Sequence, residues 1–179
     1  KRQGHVEDFA PLVDDLAAFW RSWDAPGPRI VMGHSMGGHL VLGALLDRVI
    51  DPAAAVLIAS MLGLRSPFPA HVAAWVARAM CRIGNPARAA WKANERPGSR
   101  FGRQQLLTAD ADRYADEQWW YQQVPELQLG PPSWRWLARA FASTLAQQND
   151  PRLKTLTLPI LMLVAEQDRL VDPRAALRV

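Results

Sequence analysis

The first segment of the chain places its apolar residues with the period of an α-helix. Between Val6 and Trp23 the apolar side chains recur every three or four positions, and most charged residues lie off that stripe. The residues from Asp24 to Pro28 then bring two prolines and a glycine, which end helices. We therefore predict one amphipathic helix over 6–23 with a single buried face.

Three short apolar runs farther along the chain have the length and composition of buried strands. They are Arg29–Met32, Ala55–Ala59 and Leu158–Ala165. Leu40–Ile50 has helical composition and lies between the first two runs. This order of helix, strand, helix and strand predicts a parallel sheet with crossover helices, which places the chain in the α/β class.

The residues from 61 to 149 have a different pattern and are predicted to be helical throughout. They contain six of the eight tryptophans. Thr108 and Ser133 are candidate helix N-caps. One predicted helix carries an apolar stripe formed by Val72, Trp75, Val76, Ala79, Met80 and Ile83. We predict an α/β core over 1–60 and 150–179, interrupted by an all-helical insertion over 61–149.

Charge separates the same two regions. The insertion holds eleven Lys and Arg against six Asp and Glu, whereas the rest of the chain holds ten against eleven. From Arg65 to Arg103 eight basic residues face a single acid, Glu95. Cys81 is the only cysteine, which excludes an internal disulfide and favours a reducing compartment. No run of 18 apolar residues is present, so no transmembrane helix is predicted.

The strongest chemical signal is the segment Gly33-His34-Ser35-Met36-Gly37, which fits the G-x-S-x-G nucleophile elbow. A strand that turns sharply into a helix exposes the serine hydroxyl, and we expect Gly33 and Gly37 to leave room for that turn. The helix N-terminus directs N–H groups at developing negative charge, so the Met36 N–H is a candidate oxyanion donor. A glycine-rich turn that merely contains serine is the alternative. The phosphate-binding glycine patterns are absent.

A nucleophilic serine needs a base, and the base needs an acid that orients it. Asp168 follows the third predicted strand and is the candidate acid, with Glu166 and Asp172 as alternatives. In this fold the histidine follows the acid, but the four histidines, His5, His34, His39 and His71, all precede it. We therefore expect the chain to be an internal fragment, with its base beyond Val179 and about 25–40 residues after Asp168.

Four segments together resemble the bacterial lysophospholipase family, which is close to the monoacylglycerol lipases and is often grouped with the serine aminopeptidases. They are Gly4–Phe9 with Val13–Trp20, Gly33–Gly38, Leu129–Trp134 and Leu163–Asp172. The resemblance implies an α/β-hydrolase sheet, of which part is present, with Ser35 as nucleophile, Asp168 as acid and a helical cap over 61–149. It also implies that a second oxyanion donor precedes Lys1.

The expected activity is hydrolysis of a lipid ester, a lysophospholipid or a monoacylglycerol, through an acyl-enzyme on Ser35. An aminopeptidase is a second hypothesis, although Glu95 alone could bind a substrate ammonium within 65–103. A non-enzymatic binding protein is a third. We expect no cofactor, no metal and no nucleic-acid partner, because no such module is present. The chain is expected in the cytoplasm, and its basic segment is either a solvated face or a contact for an anionic membrane surface.

Overall fold

A computed structural model of the chain describes residues 2–91 and 102–179. The described helices are α1 (Ala10–Ser22), α2 (Met36–Leu46), α3 (Ala70–Arg82), α4 (Arg103–Leu107), α5 (Ala111–Gln123), α6 (Trp134–Gln148) and α7 (Pro173–Ala176). The described strands are β1 (Arg2–Gly4), β2 (Ile30–His34), β3 (Ala54–Ile58), β4 (Leu129–Pro132) and β5 (Ile160–Leu163). Part of the predicted basic segment, including Lys92, Glu95, Arg96 and Arg100, lies outside the described residues.

The larger sheet confirms the predicted α/β class. Its three strands are parallel, and β3 lies between β2 and β5. In the register of this sheet Val31 pairs with Ala55, which pairs in turn with Ile160. The three strands are the three apolar runs of the sequence, with ends shifted by a few residues. Helix α2 makes the crossover from β2 to β3, as the predicted order requires.

Only one face of this sheet is buried. Val31, Ala55 and Leu57 point into a core shared with α2, most of whose residues are buried as well. The opposite face is apolar and open, with Met32 65% and Leu161 56% exposed. The three apolar runs of the sequence are thus correctly predicted to be strands. The prediction that they are buried holds for one face of the sheet only.

Helix α1 starts later than its apolar pattern predicts. The helix begins at Ala10, because a carboxylate oxygen of Asp8 accepts the N–H groups of Phe9 and Ala10 and turns the chain there. Trp20 is the large buried side chain on its inner face. The single buried face predicted over 6–23 therefore holds only in part, because Phe9 is buried before the helix begins, whereas Phe19 and Trp23 are 60% and 40% exposed.

The prediction that residues 61–149 are helical throughout is wrong at one place. Strand β4 pairs in parallel with β1, and the N–H of Ser133 continues the pairing by donating to the carbonyl of Gly4 at 2.8 Å. Two consecutive prolines at its end cannot continue a helix, which favours an extended chain. A Cβ on Gly4 would lie 3.0 Å from the Gly130 oxygen, so the close approach of the strands needs glycine there.

Of the two predicted helix caps, one is confirmed and one is wrong. Ser133 Oγ accepts the N–H of Trp136 at 3.0 Å and caps α6. The cap of α5 is Asp110, whose carboxylate accepts the N–H of Asp112 at 2.9 Å. Thr108 accepts only the N–H of Asp110. A carboxylate satisfies the helix N-terminus and its positive dipole together, which explains the preference for Asp110.

The chain divides into two compact units. The core unit comprises Asp8–Arg65 and Phe141–Val179, and the insertion unit comprises Lys1–Glu7 and Ser66–Ala140. These bounds differ from the predicted 61–149 because β1 pairs with β4 and because the second half of α6 bonds to core residues. The side chains of Gln147 and Gln148 donate to the carbonyls of His39 and Leu62. The covering role of the insertion stays a prediction.

Candidate active site

Ser35 lies at the junction of β2 and α2 with a backbone conformation that L-residues rarely adopt. Its φ is 51° and its ψ is −119°, a strained geometry that costs about 1–3 kcal/mol and persists only where the surroundings impose it. The N–H of Ser35 donates to the carbonyl of Ile58 at 3.0 Å, and its carbonyl accepts the N–H of Met61 at 2.9 Å. The end of β3 therefore holds the turn in place through backbone bonds on both sides of the serine.

The glycines around Ser35 are required at two positions, of which only one was predicted. A Cβ on Gly33 would lie 2.7 Å from the backbone of Gly37, so glycine at 33 is needed for the turn. Gly37 itself faces open space, and the predicted steric need at that position is wrong. The second crowded glycine is Gly38, whose added Cβ would lie 2.7 Å from Ser60 Cβ.

The two groups predicted to act on a substrate carbonyl lie next to each other in this turn. Ser35 is partly exposed, and its Oγ bonds to no residue that the structure describes. Met36 is the first residue of α2, so no carbonyl within the helix is available to its N–H. A free N–H at the positive end of a helix is suited to stabilise an oxyanion.

Asp168 lies after β5, beyond the same edge of the sheet as Ser35. Its Oδ1 accepts the N–H groups of Leu170 at 2.7 Å and Val171 at 2.9 Å, which fixes the carboxylate. Its Oδ2 accepts no hydrogen bond from the described residues. Because β3 separates β2 from β5, the ends of these strands are about 10 Å apart, a gap that a bridging side chain could span.

The two alternative acids are less suited to orient a base. Asp172 caps α7 through its Oδ1, which accepts the N–H of Arg174 at 3.0 Å, and its Oδ2 lies 4.0 Å from Arg178. Glu166 is exposed to solvent. Asp168 combines a fixed position with an unoccupied oxygen, and the local geometry favours it.

Neither histidine of the core unit, all of whose residues are described, contacts the side chain of Ser35 or Asp168. His34 ends β2 and points out from the open face of the sheet. His39 is 1% exposed, and its Nε2 lies 2.8 Å from Ser143 Oγ. Burial lowers the pKa of His39 to about 4, so this side chain is neutral at physiological pH. Its role in the core unit was not foreseen from the sequence.

The insertion unit contains a serine, a histidine and a glutamate in a row that superficially resembles a catalytic triad. His5 Nδ1 lies 2.8 Å from Ser133 Oγ, and His5 Nε2 lies 3.1 Å from Glu7 Oε1. Ser133 is completely buried, however, and its hydroxyl is the N-cap of α6. The arrangement fastens the end of β1 to the start of α6 and offers no accessible nucleophile. His71, at the start of α3, is exposed.

Within residues 2–91 and 102–179, no three His, Cys, Asp or Glu side chains lie close enough together to hold a metal ion. In the same part of the chain no helix has the length and apolar character needed to cross a membrane.

Comparison with known proteins places the chain among hydrolases. The family model described as serine aminopeptidase, S33 matches residues 1–179. Lysophospholipase L2 of Escherichia coli strain K12 is 30% identical over 184 residues, covering 96% of this chain and 51% of the relative, and the protein of strain O6:H1 matches equally. The chain thus spans about half the length of the curated relatives that it matches.

Two solved lipases have the same fold. The monoacylglycerol lipase of Paleococcus ferrophilus superposes with a TM-score of 0.67 at 18% identity, covering 98% of this chain and 60% of that one. A soluble variant of the Saccharomyces cerevisiae monoglyceride lipase, in complex with a substrate analog, superposes with a TM-score of 0.67 at 16% identity. The match covers 97% of this chain and 56% of that one. Part of an α/β-hydrolase sheet is therefore present, and the chain belongs to the serine aminopeptidase S33 family.

Proposed function

We propose that this chain supplies the nucleophile and the acid of a serine hydrolase that cleaves lipid carboxylic esters. The observation that carries the proposal is the backbone of Ser35, whose positive φ at a strand-to-helix junction is the conformation that a nucleophile elbow requires. Strain of this kind is retained where it positions a reactive group.

In the proposed reaction Ser35 Oγ attacks the ester carbonyl and forms an acyl-enzyme, and the alcohol leaves. The Met36 N–H stabilises the oxyanion that forms during attack. The surrounding backbone bonds support this role, because they fix Ser35 and Met36 before substrate binds, so little reorganisation is needed in the transition state.

Asp168 is proposed to orient the histidine that carries the proton. Its Oδ1 is held by two backbone N–H groups, and its Oδ2 is left to accept a bond from an imidazole. Neither His34 nor His39 contacts the side chain of Ser35 or Asp168, so we place this base after Asp168 in the full-length protein, which is the order of the triad in this fold. Water deacylates the enzyme with the same histidine as base.

The relatives support a lipid as substrate. The curated relatives are lysophospholipases, and the structural neighbours are a monoacylglycerol lipase and a monoglyceride lipase. We therefore propose a single-chain lipid ester, a lysophospholipid or a monoacylglycerol. The description of the matched family also names an aminopeptidase, which makes amide hydrolysis the second candidate.

The proposal is tested with the full-length protein on lysophosphatidylcholine, monoolein and an aminoacyl amide. We expect hydrolysis of one or both lipids and little of the amide. The Ser35→Ala variant should lose at least about 1,000-fold in kcat on the lipid, since removal of a triad member costs that much or more. A fluorophosphonate should label the peptide that contains Ser35.

Ser133→Ala is the matched control for labelling, because Ser133 also lies next to a histidine but is buried. Its label should equal that of the wild type once the folded fraction is taken into account. Hydrolysis of the amide alone, abolished by Ser35→Ala, would overturn the lipid proposal. Lipid hydrolysis that survives Ser35→Ala would overturn the assignment of the nucleophile.

A further inference from the structure

Helix α3 packs through its smallest side chains and leaves two bulky residues of its apolar stripe exposed, while the other four are partly buried. Its buried residues are all alanines, Ala73, Ala74 and Ala77. None of the six residues of the predicted apolar stripe is buried, and Trp75 and Ile83 are each 67% exposed. The closest contacts of α3 are therefore made by alanines on a neighbouring face of the helix.

Arginines border the exposed part of this stripe. Arg78 follows Trp75 by three residues and Arg82 follows Arg78 by four, so the three side chains lie along one side of α3, and both arginines are exposed. Among the described residues neither arginine pairs with a carboxylate. The sequence contains no Asp or Glu between Pro52 and Asn94. Within the part of the chain that the structure describes, this side of α3 consequently carries positive charge without a paired carboxylate, beside exposed apolar surface.

A second aromatic side chain extends the exposed surface beyond the helix. Phe68, two residues before α3, is 57% exposed, and Ile83 follows the last helical residue. We call Phe68, Trp75, Arg78, Arg82 and Ile83 the α3 surface. Apolar groups, an indole and guanidinium groups in this arrangement are typical of helices that lie in the interface plane of a membrane.

We propose that the α3 surface docks on a bilayer that contains anionic phospholipid. Trp75, Phe68 and Ile83 enter the boundary between headgroups and acyl chains, and Arg78 and Arg82 contact the headgroup phosphates. Each arginine near such a surface contributes electrostatic attraction, and the apolar groups add the gain from leaving water. This inference goes beyond hydrolysis, because it needs no catalytic step.

Charge distinguishes α3 from the other exposed aromatic surface of the insertion unit. Trp119 and Trp120 on α5 are half exposed and stack edge to face at 4.8 Å. Their helix carries Asp112, Asp116 and Glu117 against a single arginine. An anionic surface would repel those carboxylates, so Trp119 provides a matched control of equal chemistry and similar exposure.

The test is vesicle sedimentation of the full-length protein carrying Ser35→Ala. This substitution prevents hydrolysis by Ser35 from altering the vesicle lipids, so binding is measured separately from the proposed hydrolysis. Vesicles contain phosphatidylcholine alone or with a minority of phosphatidylglycerol. We expect binding to the mixed vesicles that weakens as salt is raised. Arg78→Glu with Arg82→Glu should lower the partition coefficient at least about 25-fold, because each lost cation accounts for about fivefold. Trp75→Ser should lower it about tenfold or more.

Trp119→Ser should leave binding unchanged, and circular dichroism of each variant checks that it is folded. The inference is overturned by equal binding to phosphatidylcholine alone, by a Trp119→Ser effect as large as that of Trp75→Ser, or by arginine variants that bind as the parent does. It is also overturned if the protein binds neither type of vesicle. That outcome holds even if the α3 surface binds an oligonucleotide or forms a dimer through Trp75.

Discussion

The side chain of Ser60 occupies the space beside the Cα of Gly38 that a methyl group would need. A Cβ on Gly38 would lie 2.7 Å from Ser60 Cβ, closer than real Cβ atoms approach one another. Ser60 is buried, and the next residue, Met61, donates its N–H to the carbonyl of Ser35. The packing of the segment after β3 against α2 thus holds the turn at Ser35, and it depends on the missing side chain at position 38.

Gly38→Ala should destabilise the protein and reduce its activity. The added methyl group must displace the backbone after β3 or α2, at a cost of about 1–3 kcal/mol in the free energy of unfolding. Gly37→Ala is the matched control, since a Cβ there meets open space and alanine favours a helix by about 0.5–1 kcal/mol. Urea unfolding and kcat of both variants check the pair. Ser60→Gly in the Gly38→Ala background should restore part of the loss, and equal effects of the two alanine variants would contradict the packing.

His39 should make stability depend on pH between about 4 and 6.5. Burial lowers its pKa from 6.5 to about 4, so the unfolded chain takes up a proton in this range while the folded protein does not. The stabilisation is complete above pH 6.5 and is lost as the pH falls toward 4, by about 3 kcal/mol. Phe9, Ser143 and Gln147 contact His39, and none of them carries a charge.

The measurement is the free energy of unfolding as a function of pH for the wild type and for His39→Gln. The glutamine keeps a polar group near Ser143 but does not titrate, so the slope should become shallower. His71→Gln, at an exposed position, should leave the slope as it is. A His39→Gln profile that parallels the wild type would exclude His39 as its source.

Substitution of Asp168 should impair catalysis much more than substitution of Asp172. Asp168→Asn keeps an oxygen that can accept the N–H groups of Leu170 and Val171, but it removes the charge that orients the base. We expect kcat on a lipid ester to fall by about 10,000-fold with little change in unfolding. Asp172→Asn keeps the cap of α7 and should retain kcat within a few-fold. If Asp172→Asn were the more damaging change, the acid would be misassigned.

Ser133 should prove to be a structural residue. Ser133→Ala removes the N-cap of α6 and the contact with His5, and it should lower the free energy of unfolding by about 1–3 kcal/mol. Ser133→Thr can keep the hydroxyl and should recover part of that loss. Chemical denaturation of both variants provides the measurement. Wild-type stability of Ser133→Ala would show that neither contact matters.

The sequence determined those features whose physical causes are local. Three apolar runs were sufficient to predict the strands of the larger sheet, because short apolar segments that alternate with helical segments are typical of the strands of a parallel sheet. The order of glycine, serine and glycine placed Ser35 at a strand-to-helix turn. The position of Asp168 beyond the end of the third strand also followed from the sequence, and Ser133 was recognised as a helix cap from the capping chemistry of serine.

Only the tertiary structure decided features that depend on partners distant in the chain. Strand β4 exists because β1 pairs with it, and its Leu-Gly-Pro-Pro sequence carries no strand signal of its own. The glycine after Ser35 that packing demands is Gly38 rather than Gly37, because Ser60, in the segment after β3, lies close to Gly38. Helix α3 buries alanines and exposes Trp75, which the spacing of its apolar residues alone did not reveal. Periodicity reports which residues are apolar, whereas burial depends on which surface meets a neighbour, and that is settled only when the chain has folded.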